Sequence, residues 1–209
     1  MVLYGYWRSS AAYRVRIALN LKGLNYQTKH VSLIDGDQRS VEFLEINAQG
    51  LVPVLFDGNA HISQSLAILE YLEDMYTEVP LLPADPCNRA TVRQIALLIA
   101  CDIHPLCNLR VLNYLKETLG ADEDAKLQWY RHWVREGLTA LEKRVSETHG
   151  KFCVGDMPTF ADACLIPQLY NAERFDVPDE NWPTLREIAR HCNQHPAFAD
   201  AHPDSNREA

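Results

Sequence analysis

The sequence predicts a mixed α/β segment followed by an all-helical one. Short β-type runs alternate with helical ones through the first third of the chain. The stretch Val79-Pro80-Leu81-Leu82-Pro83-Ala84-Asp85-Pro86 carries three prolines, which neither a helix nor a strand ladder tolerates. From Asn88 onward the helical pattern runs on without a convincing strand. The boundary is therefore placed in the proline-rich stretch, with domains expected over residues 1–80 and 87–209.

Each element has a local reason. Val2 to Trp7 is dense in aromatic and aliphatic residues and reads as a buried strand ending at Arg8. Ser9 and Ser10 supply capping hydroxyls ahead of a helix from Tyr13 to Lys22, where Val15, Ile17, Ala18, Leu19 and Leu21 leave a narrow polar face, and Gly23 stops it. A second strand is expected over Tyr26 to Leu33, a short helix over Ser40 to Ile46, and a third strand over Leu51 to Phe56 with Pro53 inside it. Asp57-Gly58 marks a hairpin, His61-Ile62 the returning strand, and Ser65 to Met75 a helix with Leu66, Leu69 and Leu72 as its apolar stripe. Helices are then expected over Arg89 to Leu119, kinked at Pro105, and over Asp122 to Thr148, Phe160 to Phe175 and Thr184 to Cys192, with a frayed tail beyond Pro196. Thr159-Phe160-Ala161-Asp162 fits a capping box at the start of the third of these.

Composition narrows the function. With 28 acidic against 20 basic residues the chain carries a formal charge of −8, which argues against nucleic acid or an anionic membrane as partner. No apolar run approaches the ~18 residues of a membrane span, and the N-terminus lacks the order of a signal peptide, so a soluble, cytoplasmic protein is expected. The six cysteines form no CxxC pair and the eight histidines no HExxH motif. Reduced, mostly buried thiols and no metal site are the expectation.

Several residues have chemistry beyond structure. A serine at the mouth of a helix, such as Ser9, can donate to an anion that the helix dipole also favours, although capping alone explains it more simply. Gln64-Ser65 opens another helix in the same way. His104 and Asn108 lie four apart and so share one face of a regular helix, with Asp102 just upstream; a packed histidine is the plainer reading. Arg14 and Arg16 lie within the first helix and are read as structural, paired with acidic neighbours. Trp129, Trp133 and Trp182 are read as core or interface rather than a cofactor box.

With Ser9-Ser10-Ala11-Ala12-Tyr13-Arg14-Val15-Arg16-Ile17-Ala18-Leu19, the chain resembles the zeta class of glutathione transferases over nearly its whole length. Asn47 to Val54, Gln64 to Leu72, Cys101 to Asn108 and Gly155 to Pro167 match further blocks, most closely those of bacterial maleylpyruvate and maleylacetoacetate isomerases. The resemblance implies a thioredoxin-like α/β N-terminal domain plus an all-α C-terminal domain, homodimers, and glutathione as cofactor. It makes Ser9 the residue that activates the glutathione sulfur, with backbone near Ser10 and Ala11. Ala11 stands where the family's motif has cysteine, so no side-chain thiol acts there. It also implies a cis Val52-Pro53 bond, with Val52 binding the cysteinyl part through its main chain. Gln64 and Ser65 would hold the γ-glutamyl group, Gln38 and Gln49 would lie near the glycyl end, and Asp102, His104 and Asn108 would surround glutathione or substrate. Arg8, Arg110 and Arg174 are the candidates for a small dicarboxylic substrate, because planar guanidinium donors match carboxylate oxygens. The implied activity is glutathione-dependent cis–trans isomerisation of maleylpyruvate or maleylacetoacetate in the breakdown of aromatic compounds. A conjugating or dehalogenating transferase and a non-catalytic glutathione-binding protein are the alternatives.

Overall fold

The computed structural model describes residues 1–178 and 180–207. It divides into two compact units: Met1–Leu81 together with the C-terminal segment from Asn193, and Leu82–Cys192. The tail expected to fray is instead part of the first unit. The second domain expected over 87–209 included that tail, whose last two residues lie outside those described.

In the first unit, strands β1 (Val2–Gly5), β2 (Gln27–His30), β3 (Val54–Asp57) and β4 (Ala60–Ser63) form one sheet in the order β2-β1-β3-β4. β1 pairs parallel with β2 and antiparallel with β3, with Leu3 opposite both Thr28 and Leu55. Parallel neighbours need a crossover, and helix α1 (Ser10–Leu21) provides it. β1 ends two residues before the expected Trp7 because Ser9 N donates to Tyr6 O at 3.0 Å, turning the chain toward α1. β2 is shorter than expected, being paired only where β1 runs beside it. β3 starts after Pro53, which has no N–H for the ladder; the Val52-Pro53 bond is cis.

Successive side chains of a strand face opposite ways, so β1 separates two packing layers. Gly5 faces α1 so closely that a Cβ there would sit 3.2 Å from Ala12 Cβ. On the other face Tyr4 joins Phe43 of helix α2 (Val41–Ile46), Val31, Val54 and Phe56 in a small apolar cluster. Helix α3 (Ser65–Met75) has the bounds the periodicity predicts.

α1 is buried nearly all round because it packs against α3 and against α9 (Pro196–Ala201) of the C-terminal segment. Arg16, only 2% exposed, donates from Nε to Ala201 O at 3.0 Å and from Nη2 to Trp7 O at 2.9 Å; Asn20 Nδ2 donates to Ala197 O at 3.1 Å. At the far end of α1, Lys22 Nζ meets Glu73 Oε2 at 2.8 Å and the carbonyls of Tyr76 and Val79, while Leu81 N donates to the same carboxylate oxygen. A buried ammonium with three oxygen partners needs no solvent to satisfy it.

The second unit holds α4 (Pro86–Leu97), α5 (Leu109–Glu117), α6 (Glu123–Val145), α7 (Phe160–Arg174) and α8 (Pro183–Asn193). The single kinked helix expected over Arg89 to Leu119 is instead α4, a π-helical turn at Leu98–Ile103, a 3₁₀ turn at His104–Cys107 and α5. Pro105 cannot continue the regular ladder, and Asn108, extended at φ −68° and ψ 146°, starts a new helix by accepting from Arg110 N at 3.1 Å. The stretch Pro86–Glu117 also corrects the expectation that nothing approaches membrane-spanning length: an 18-residue window in it averages a hydropathy of 1.6. That expectation counted uninterrupted apolar runs, whereas an average absorbs isolated polar residues.

α7 opens with the expected capping box. Asp162 Oδ2 accepts from Thr159 N at 2.8 Å and from Thr159 Oγ1 at 2.9 Å, and Oδ1 accepts from Cys153 N at 2.8 Å. Glu142 of α6 receives Thr184 N and Leu185 N, both at 2.9 Å, so a distant side chain caps α8. Trp182 is buried and donates to Thr139 Oγ1; Trp129 donates to Leu106 O and meets Trp133 edge-on. Cys153, Cys164 and Cys192 are buried, Cys107 is half-buried, and Cys87 and Cys101 are exposed, so burial holds for half the thiols rather than most.

Candidate active site

In the first unit, Ser9 is the N-cap of α1, with Oγ accepting from Ala12 N at 3.3 Å. That bond uses an oxygen lone pair and leaves the hydroxyl hydrogen available to donate. The first-turn amides of Ser10 and Ala11 add the partial positive charge of a helix start. Ala11 is half-buried and brings no ionisable group. Arg8 precedes Ser9, with its guanidinium carbon 5.2 Å from the Trp7 ring and 5.9 Å from the Tyr6 ring.

A second helix start lies in the same unit. Gln64, in the left-handed region at φ 71°, is the N-cap of α3 but makes no side-chain capping bond; its Nε2 donates to Gln49 Oε1 at 2.8 Å instead. Such a backbone for a non-glycine residue costs of order 1–3 kcal/mol and points to function. Ser65 is buried and its Oγ accepts from Arg14 Nη1 at 3.2 Å. Arg14, 1% exposed, thus supports the pair it was not expected to touch. Nothing in residue type or spacing marked Arg14 for this contact.

Gln38 occupies the 3₁₀ turn Asp37–Arg39, and its Oε1 is buried without a hydrogen-bond partner among the described residues. Gly50, at φ 61°, lies so near that a Cβ would come within 2.8 Å of Gln38 O and 3.1 Å of Arg39 Nη1. The turn thus brings Gln38, Gln49 and Gln64 to one region, with Arg39 as a cation the motif did not reveal. Val52 has no hydrogen-bond partner among the described residues, so its main-chain groups stay open to a peptide-like ligand.

In the second unit, Asp102 is exposed on the π-helical turn and lines a cleft of about 550 Å³ with Cys101, Pro105, Trp133, Glu136 and Gly137. His104 opens the 3₁₀ turn and Asn108 caps α5, so the helix face expected to carry both is not formed: the helix is broken between them. Arg110 lies exposed in the first turn of α5. Arg174 lies in the last turn of α7, exposed, 5.8 Å from the Tyr170 ring and 5.4 Å from the Phe175 ring. Tyr130 stacks on Phe175 at 3.8 Å, and Arg131 Nε donates to Phe175 O at 2.9 Å, fastening the end of α7 that carries Arg174.

Residues 8–75 match the family described as glutathione S-transferase, N-terminal domain. The chain is 48% identical to the probable maleylacetoacetate isomerase of Vibrio cholerae, an alignment covering 100% of this chain and 98% of the relative. Among solved structures, a holo maleylpyruvate isomerase, described as a bacterial glutathione S-transferase of the zeta class, superposes with a TM-score of 0.97 at 40% identity and full coverage of both chains. A maleylacetoacetate isomerase from Methylobacterium extorquens AM1, with bound malonate and glutathione, gives 0.95 at 45% identity over 97% of this chain and 96% of that one. A sheet ordered β2-β1-β3-β4, an N-capping serine and a separate helical unit therefore have the fold of glutathione transferases. The chain belongs to that family, in its zeta class.

Proposed function

We propose that this protein is a glutathione-dependent cis–trans isomerase of maleylpyruvate or maleylacetoacetate, acting in the breakdown of aromatic compounds. The observation that carries the reading is Ser9, a hydroxyl held at the start of α1 directly after Arg8 in sequence, in a chain alike over its full length to isomerases of those names. The residues present fit glutathione. Ser9 and the first-turn amides suit its sulfur, the open main chain of Val52 its cysteinyl part, Gln64 and Ser65 its γ-glutamyl group, and the unsatisfied Gln38 Oε1 with Gln49 the glycyl end.

When bound, glutathione supplies a nucleophilic sulfur whose reversible addition leaves the former double bond free to rotate. Ser9 donates its hydroxyl hydrogen to the sulfur and so favours its anion. A free thiol titrates near 8.5, and each unit of lowering corresponds to about 1.4 kcal/mol of differential stabilisation. Arg8, Arg110 and Arg174 hold substrate carboxylates and oppose the negative charge that develops on the conjugated carbonyl. Asp102, His104 and Asn108 are the second-unit residues this reading assigns to glutathione or substrate. The working protein is a cytoplasmic homodimer whose acidic surface does not recruit nucleic acid or membrane.

The test follows the absorbance of maleylpyruvate with and without glutathione and identifies the product. Fumarylpyruvate formed only with glutathione, and glutathione recovered unchanged, is the expected result. Stoichiometric consumption of glutathione into an adduct overturns the isomerase reading in favour of a conjugating transferase.

A further inference from the structure

Two guanidinium groups share the Trp7 ring. Arg8 lies 5.2 Å from its centroid, and Arg207, from the far end of the chain, lies 5.3 Å from it. The two guanidinium carbons are therefore no farther apart than those distances laid end to end, about 10.5 Å. Each cation gains from the ring face, yet they repel each other. Neither donates a hydrogen bond or joins an ion pair among the described residues, in a chain with eight more acidic than basic residues.

Arg207 is delivered by an anchored segment. Asn206 Nδ2 donates to Asp200 O at 2.8 Å and His202 O at 2.9 Å, and Ser205 Oγ donates to Ala199 O at 3.2 Å, closing the turn Pro203–Asn206 just before it. Arg16 holds Ala201 O and Trp7 O at once, so a single buried side chain ties this segment to the residue it approaches. Trp7 in turn stands two residues before Ser9, in the turn closed by Ser9 N and Tyr6 O.

We propose that Arg207 is a specificity-determining residue that, with Arg8, binds the carboxylate of the dicarboxylic substrate remote from the double bond. A carboxylate between the two guanidinium groups relieves their repulsion, and its planar oxygens match their paired N–H donors. This assignment rests on the isomerase reading for its substrate but not for its measurement, because carboxylate binding is readable without turnover.

The experiment titrates malonate into the glutathione-loaded full chain by calorimetry for wild type, Arg207→Gln, Arg207→Lys and Arg8→Gln, alongside maleylpyruvate kinetics. Arg207→Gln is expected to weaken malonate and to raise KM for maleylpyruvate about tenfold, with a fall in kcat below threefold and an unchanged melting temperature. Glutathione affinity stays as in wild type, and Arg207→Lys recovers part of the loss because it restores charge without the fork. An unchanged malonate affinity in Arg207→Gln overturns the proposal, as does a loss confined to glutathione, which would assign the pair to the tripeptide's own carboxylate. A wild type that binds malonate through Arg207 yet fails to isomerise supports the proposal while refuting the reaction.

Discussion

Ser9 Oγ accepts from Ala12 N while its own hydrogen stays free, so removing it touches stability and chemistry by separable amounts. Ser9→Ala is expected to cost about 1 kcal/mol of stability through the lost cap and to cut isomerase turnover about 100-fold, read by thermal melting and by initial rates with saturating glutathione. Turnover kept within twofold would remove Ser9 from the mechanism. Burial raises the thiols of Cys107, to about 12, and of Cys153 and Cys192 above their ordinary range. The sign follows from proton binding: between about pH 9 and pH 12 the unfolded chain gives up protons that the folded chain keeps, so stability falls as pH rises through this window. Melting temperatures measured from pH 8 to pH 11 should decline, less steeply in Cys107→Ala; an equal slope in both proteins would exclude Cys107 from the effect. The buried Arg14 guanidinium on Ser65 and the left-handed Gln64 backbone were not legible in the sequence, since neither follows from residue type or spacing.

Elements show what local chemistry reveals and where it stops. The bounds of α3 and the Thr159–Asp162 capping box were readable because both depend on residues a few positions apart. Asp162→Ala removes the acceptor of Thr159 N and Cys153 N together, with an expected loss of about 3 kcal/mol in a denaturant titration. The break between α4 and α5 exceeded the expected kink because Asn108 caps a new helix and so separates the faces of His104 and Asn108. Gly137 in the middle of α6 explains itself only against its neighbour: a Cβ there would lie 2.2 Å from Ile103 Cγ1. Gly137→Ala, which favours an isolated helix, should therefore destabilise this one by about 1–3 kcal/mol. An unchanged unfolding midpoint would show that Ile103 yields without cost.

At the scale of the whole molecule, the proposed homodimer should appear in light scattering as a species of about 48 kDa, twice the chain's 23.8 kDa; a 24 kDa species would refute it. The C-terminal segment makes a second prediction. Because Arg16 and Asn20 of α1 donate to its carbonyls, a chain ending before Pro196 leaves the buried Arg16 Nε and the half-buried Asn20 amide without these acceptors and should melt well below the full-length protein.

By itself the sequence determined the alternation of strands and helices, the helix caps and the family motif around Ser9. These are set by torsional preference and by hydrogen bonds that close within about four residues. The tertiary structure alone decided that the tail joins the first unit, that Arg14 and Arg16 are buried, and that Arg207 reaches Trp7. The physical reason is the partner: Arg16 is satisfied by main-chain carbonyls, which every residue carries, so nothing in the side-chain sequence marks which ones the fold will bring to it.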